Sequence, residues 1–390
     1  MSVFNTLKSF AFSLQNRRKS DFTYPVEKQR RYISHFPEPH DDIERSYYQY
    51  RCQMKLNGIL AVFLNAFSLP LLLCTYHKRN SELINEKTDA LFLAGGVDSF
   101  GIVPDLLRKR FDSWKEINEL KEYFDENDRK IFKKIVKCHP FSWHFLLKIL
   151  VKIRIYSYLI KSYNPTAIVA ASEYSFSSSA MTYYCESYGK LHIDVQHGEK
   201  YFYMRDAFFR FSNSYVWDDY YVRLFGKMRA PTSQFIISMP EGLLFSNEKE
   251  TIKAKSIDYT YYLADEKGKV LERILENLIK LKEAGFRVAL RPHPIYSNLH
   301  TIHKVVKEIE IEDHKSLSAM ESIKRTNHAI SLASTVLNQA YYNGTGVVID
   351  DISQPKMYKK LEELQYVMLE KRHVLLSTII NSVTSIEVSR

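Results

Sequence analysis

Four cysteines in 390 residues, Cys52, Cys74, Cys138 and Cys185, form no CxxC pair. The chain therefore carries neither a zinc-cluster spacing nor a dithiol redox motif, and its thiols are expected to stay unpaired in a reducing compartment. Glycine and proline are sparse at 12 each, and no tract is biased toward one residue type, which excludes a collagenous, linker-dominated or wholly disordered chain. No continuous apolar stretch with a small-residue cleavage site stands near the N-terminus, so no secretory signal is expected. The apolar run GILAVFLNAFSLPLLLC (58–74) is at the short limit for a bilayer span and contains Asn65, Ser68 and Pro70. It is expected to be a buried helix leading into a strand.

Acidic charge is in deficit. Against 45 Asp and Glu stand 55 Lys and Arg, a formal charge of +10, which favours anionic partners such as nucleotides or phospholipid headgroups. No zinc-finger spacing or RNP-like signature is present, so nucleic acid is not an expected partner. Basic residues cluster in KSFAFSLQNRRKS and EKQRRY near the N-terminus and in LLKILVKIRIYSYLIK. Such runs read first as a solvated face or an arm, and second as an interfacial helix on an anionic membrane.

What is abundant is alternation. DALFLAGG (89–96), TAIVAASEY (166–174), LHIDVQHG (191–198), AFFRFSNSYVW (207–217) and QFIIS (234–238) read as strands, with helical stretches between them. After the polar segment SNEKETIKAKS (246–256) the pattern repeats: DYTYYLA, FRVALRPHP, HAISLA and GVVIDD alternate with helices, one of which places Val270, Leu271, Ile274, Leu275, Leu278 and Ile279 at helical spacing. The expected fold is α/β, with two Rossmann-like doubly wound domains facing a central cleft. The expected boundaries are residues 1–245 for a first domain with a basic N-terminal arm, 246–372 for a second domain, and 373–390 for a C-terminal tail.

Ligands in open parallel sheets lie beyond the carboxyl ends of the strands, so polar residues at strand ends are the candidates. The prolines of Arg291-Pro292-His293-Pro294 hold the residues before them extended and aim both side chains one way, as suits a phosphate pair. An isolated His-Pro would otherwise be a rigid strand exit. Ser331 closes a strand, and Ser334 or Thr335 would cap the following helix, whose first N–H groups form an anion site. Plain capping accounts for either residue alone. His197, flanked by Gln196 and by Gly198, which lets the backbone turn and a substrate approach, is placed for general-base work. Glu173 would orient it or serve as the base itself, and Glu241 in MPEG is a further carboxylate for substrate binding. A turn histidine is the competing account of His197.

Taken in order, SEYSFSSSA, DVQHGEKYFY, SYVWDDYYVRL, RPHP and SLASTVLNQAYYNGTGVVID resemble bacterial surface-polysaccharide transferases of the GT-B architecture, over about residues 165–352. That group includes CDP-glycerol glycerophosphotransferases, capsule Kdo transferases, and bacterial sialyltransferases and polysialyltransferases. The resemblance implies a catalytic role for His197, donor-phosphate binding by His293, and nucleotide binding by Ser334 with Thr335. Arg291 joins them on the phosphate argument alone. The sialyltransferase acidic pair before glycine has only Pro240-Glu241-Gly242 as a counterpart, after the HG rather than before it, which speaks against a sialic acid donor. No DxD stands at a strand end, so a metal-independent reaction without a cofactor is expected. The implied partners are a nucleotide-sugar donor, CMP- or CDP-linked, and a glycan or lipid-linked acceptor, met in the cytoplasm or at the inner membrane face. Rival readings are a nucleotide-sugar epimerase of related fold, a non-catalytic polysaccharide assembly or export partner, and a basic nucleic-acid binder.

Overall fold

The computed structural model describes residues 24–93, 100–245, 255–295, 297, 302 and 308–388. The basic segment at residues 8–20, the Gly95-Gly96 strand stop and most of the 246–256 connection lie outside the described residues. In the first domain three helices, α1 (Val26–Ser34), α2 (Asp42–Asn57) and α3 (Leu60–Tyr76), precede β1 (Ala90–Leu93). There follow α4 (Asp105–Arg108), β2 (Trp114–Ile117), α5 (Glu126–Cys138), α6 (Trp143–Tyr163), β3 (Ala167–Ala170), α7 (Ser178–Ser187), β4 (Leu191–Val195), β5 (Asn213–Val216), α8 (Asp219–Lys227) and β6 (Phe235–Ile237). The sheet order is β2-β1-β3-β4-β5-β6, every pair parallel. Parallel pairing needs crossovers that cover both faces, and the buried run Ala-Ile-Val-Ala of β3 meets that requirement.

The second domain runs β7 (Ile257–Tyr262), α9 (Lys269–Glu283), β8 (Val288–Arg291), β9 (Glu310–Ile311), α10 (Ala319–Arg325), β10 (Thr326–Ser331), α11 (Thr335–Tyr342), β11 (Gly346–Ile349), α12 (Pro355–Glu363), β12 (Val374–Leu375) and α13 (Leu376–Val388). Its order, β12-β11-β10-β7-β8-β9, is again all parallel. Read from β7, this is the doubly wound order 3-2-1-4-5-6, with its switch point between β7 and β10. The expected architecture of two Rossmann-like halves is therefore the one present. The segment from residue 373 onward is not a tail among its described residues. β12 pairs with β11, and Leu376, Ile380 and Val383 of α13 join the core formed by α9, β7 and β8.

Two helices sit where the sequence does not put them. LLKILVKIRIYSYLIK, read as a solvated or interfacial stretch, lies in α6 at the centre of the first core, with Leu146, Ile149, Leu150, Ile153, Tyr156 and Leu159 buried. Two of its four charges are paired internally: Arg154 Nε meets Glu122 at 2.8 Å and its Nη2 donates to the carbonyls of Lys78 and Arg79, and Lys161 meets Asp128 at 3.0 Å. Asn164 in a left-handed conformation (φ 43°), followed by Pro165, ends the helix. Conversely, the apolar run 58–74 does form a helix, α3, but only Ser68 and Leu72 are buried along it, and a loop rather than a strand follows it. The stretch AFFRF (207–211) is buried but lies outside β5, which begins at Asn213.

The domains meet through the segments that follow β4 and β5. Phe202 N donates to Leu364 O at 2.7 Å, and the rings of Tyr201 and Tyr366 lie 5.4 Å apart. Beside them Lys371, its side chain fully buried, donates to Asp218 Oδ2 at 2.7 Å, Asn338 Oδ1 at 2.8 Å and the Tyr342 hydroxyl at 2.8 Å. The carboxyl ends of the first sheet thus face α11 and the 364–371 segment of the second domain.

Candidate functional site

The register Ala170↔Asp194 sets β3 and β4 side by side, so the exits of these strands share one corner. Ser172 N donates to Asp194 Oδ1 at 3.1 Å, and the Ser214 hydroxyl donates to Asp194 Oδ2 at 2.9 Å. Three residues beyond Ala170, Glu173 is 1% exposed, and its Oε1 is ion-paired with Lys200. Its carbonyl accepts from Gln49 Nε2 at 2.8 Å, which fixes the loop to α2. Glu173 Oε2 has no hydrogen-bond partner among the described residues and faces His197 Nδ1 at 3.9 Å. The sequence-derived pair, Glu173 and His197, is therefore brought together.

Electrostatics divide the labour. Burial opposes ionisation of Glu173, but the charges of Lys200 and His197 outweigh it and hold its carboxyl below the usual range. Asp194, buried and next to the Glu173 charge, is pushed up to about 8, so near neutrality it holds a proton. Within this cluster Glu173, Asp194, Gln196 and Lys200 are buried, whereas the His197 side chain is 27% exposed. The imidazole is the titratable group that an incoming molecule can touch. Tyr174 packs its ring edge against it, with centroids 5.9 Å apart.

Gln196 anchors the His197 loop. Its Nε2 donates to Gly198 O at 3.0 Å and its Oε1 accepts from Trp217 N at 3.3 Å. Gly198 has an ordinary negative φ, and a Cβ there would meet nothing within 4 Å. The turn does not demand glycine, and the space in front of it is open. Next in the chain, Glu199 accepts from the Tyr221 hydroxyl at 2.9 Å and from Asn338 Nδ2. Burial raises the Glu199 carboxyl to about 7 against the pull of Tyr221 and Lys371. Because Asn338 lies one turn into α11, this bond ties the His197 loop to the helix that Ser334 caps.

In the second domain the candidates separate by role. Ser334 Oγ accepts from Val336 N at 3.3 Å as the N-cap of α11, and Thr335 is the first helical residue. Both stand at the β7/β10 switch point. Ser331 is fully buried and donates to Tyr262 O at 2.9 Å, a brace between β10 and β7 rather than a surface group. His293 is half-buried beyond β8. Its Nδ1 accepts from Ile295 N at 3.1 Å, which leaves the neutral ring protonated at Nε2. Burial, only partly countered by Asp265, lowers its pKa and favours that neutral form.

Arg291 does not accompany His293. It is 6% exposed, Nη1 meets Glu312 Oε2 at 3.3 Å and Nη2 donates to Leu317 O at 2.9 Å. Its charge is matched inside the fold, so Arg291 holds the strand exit instead of presenting a guanidinium to phosphate. Glu241 is also engaged: its Oε2 accepts from Asp105 N at 2.8 Å at the start of α4. Sequence reasoning missed Lys200, Asp194, Glu199 and Lys371. Two further cations, Lys148 and Lys152, one turn apart on α6, have no ion pair or hydrogen bond among the described residues, and Lys148 Nζ lies 4.3 Å from the ring centre of Phe176.

No protein-family model matches this chain, and no curated protein matches it either. Solved structures that it resembles include a variant of the wall teichoic acid polymerase TagF, at 12% identity and TM-score 0.43, covering 86% of this chain and 87% of that chain. UDP-N-acetylglucosamine 2-epimerase from Rickettsia bellii follows at 13% identity and TM-score 0.41, covering 67% and 79%. The apo form of the lipopolysaccharide outer core galactosyltransferase WaaB has 10% identity and TM-score 0.39, covering 67% and 80%. The fold assignment rests on strand order and not on these distant likenesses.

Proposed function

We propose that the protein is a glycosyltransferase that moves a sugar, or a related polyol phosphate, from a nucleotide-activated donor to a bacterial surface glycan or lipid-linked acceptor. The observation that carries this reading is the partly exposed His197 beside the buried, ionised Glu173, on a loop bonded through Glu199 to the helix that begins at Ser334 and Thr335. A base on one domain and a phosphate cradle on the other suit direct transfer between two substrates held in a cleft.

In that reaction His197 Nε2 takes the proton of the acceptor hydroxyl while its Nδ1 side is held by Glu173. The 3.9 Å gap closes when substrate orders the loop. The acceptor oxygen forms its bond to the transferred carbon or phosphorus as the bond to the nucleotide phosphate breaks, and the departing oxygen keeps the electron pair. His293, donating from Nε2, and the N–H groups of α11 beyond Ser334 and Thr335 receive that charge. Gln196 and Gly198 shape the acceptor wall. No step is assigned to a metal or cofactor.

A thermal-shift screen of CMP, CDP, UDP and GDP tests the donor half. Stabilisation by one or two of them, lost in His293→Ala, is the expected result, with cytidine nucleotides foremost. Incubation of the stabilising donor with and without acceptor then separates transfer from epimerisation, because an epimerase converts the sugar with no acceptor present. No shift from any nucleotide would overturn the proposal.

A further inference from the structure

α3 is amphipathic in the inverted sense. Its polar residues face inward: Asn65 Nδ2 donates to Phe141 O at 3.0 Å, Asn65 Oδ1 accepts from His144 N at 3.1 Å, and the Ser68 hydroxyl meets His144 Nδ1 at 3.0 Å. Leu72 is buried with them, but one apolar stripe faces out. Ile59 is 79% exposed, Val62 67%, Phe63 53%, Phe67 71% and Leu73 56%, and Ala66, Pro70 and Cys74 complete the same stripe. The spacing is that of one helical face. Phe141, tied to α3 through Asn65, adds a ring that is 78% exposed. Soluble surfaces do not ordinarily leave such a contiguous patch bare.

Between Lys55 and Lys78 no Asp, Glu, Lys or Arg occurs, whereas Arg51, Lys55, Lys78 and Arg79 stand exposed at the two ends of this stretch. The 17-residue helix is about 25 Å long and packs lengthwise on α6. Among the described residues no helix is long and apolar enough to cross a membrane. We propose that the outward face of α3, with Phe141, docks the protein flat on an anionic phospholipid surface, apolar side chains among the acyl chains and the terminal cations among the phosphates. A second copy fits less well. Pairing the face with itself, parallel or antiparallel, sets cationic ends against cationic ends, whereas anionic headgroups neutralise them.

This placement supplies the membrane side of the proposed reaction and in that respect rests on the transferase reading. His144, bonded to Ser68 on α3, packs its ring 5.9 Å from Phe176, three residues beyond Glu173. The docked face and the catalytic loop thus share one side of the first domain, and a lipid-linked acceptor would reach the site without leaving the surface.

Vesicle co-sedimentation of the full chain, without nucleotide, is the test. Binding to phosphatidylcholine vesicles containing about a third phosphatidylglycerol should exceed binding to pure phosphatidylcholine roughly tenfold or more, and weaken as salt rises. The double variant Phe63→Ser/Phe67→Ser should lose about tenfold or more of that binding while its melting temperature holds, because both rings are already in water. Lys55→Glu/Arg79→Glu should lose the preference for the anionic lipid. Wild-type binding retained by the serine variant would overturn the proposal. So would failure of the wild type to bind either vesicle, or a dimer in light scattering that the serine variant abolishes. Nucleotide shifts unchanged in the serine variant would leave the transferase reading standing even if vesicle binding fails.

Discussion

α3 and α6 are both long, apolar and adjacent, yet they solve opposite problems. α6 carries Arg154 and Lys161 into the protein and pairs each: Arg154 with Glu122, Lys161 with Asp125 at 2.7 Å and Asp128 at 3.0 Å. α3 carries no charge and still leaves Val62, Phe63, Phe67 and Leu73 in solvent. Mean hydropathy therefore did not decide which helix is central. A charged residue is compatible with the interior when partners surround it, and an apolar helix is left outside when the fold offers only one face to pack against.

The largest effect that bears on this contrast is expected at Arg154. Removing Arg154 leaves Glu122 with Lys78 alone, at 2.6 Å, and strands two carbonyls, so Arg154→Ala should cost about 3–5 kcal/mol in denaturant unfolding. A cost below about 1 kcal/mol would break the claim that α6 is held by internal pairing. Next, Ile149→Ala, on the buried face of α6, should lose about 2–5 kcal/mol through the cavity it leaves. Phe67→Ser on α3, by contrast, should stay within about 0.5 kcal/mol. Equal costs for these two would reverse the assignment of inside and outside.

Smaller effects come from charges that the interior pairs poorly. Asp194 is raised from 3.8 to about 8 in the folded protein. Between those values the folded chain holds a proton that the unfolded chain has released, so this contribution is complete below pH 4 and lost as pH rises through 8. Asp194→Asn should flatten that decline, seen as unfolding midpoints measured across the range. Half-buried Lys148 runs the other way, its pKa lowered from 10.5 to about 7 by burial and then by Lys152. Here the unfolded chain binds the extra proton, so stability rises with pH from about 7 to 10.5. Lys148→Met should remove the rise, and an unchanged slope would mean that Lys148 finds an anionic partner.

Legibility followed locality. The second sheet was readable because its strands are short apolar runs between well-punctuated helices, as in the stretch from β10 to β11. β2 was not, since Trp-Lys-Glu-Ile is a half-exposed edge strand, and two-residue β12 is defined only by its pairing with Ile349 and Val348. In the candidate site, the nearness of His197 and Glu173 was legible because strand ends followed by turn residues are visible in sequence. Asp194 was hidden inside LHIDV, where alternation makes it look like one polar position of a strand; only the neighbouring β3 exit shows what it meets. Arg291 was misassigned because its partner, Glu312, arrives 21 residues later.

By itself the sequence determined the alternation of strand and helix, the parallel two-domain plan, and which polar residues stand at strand ends, because periodicity, turn residues and caps act over a few neighbours. Only the tertiary structure decided which cation is neutralised, which carboxylate keeps a proton, and which of two apolar helices meets solvent. Those outcomes depend on desolvation and on partners supplied from distant parts of the chain, and neither is written in local spacing.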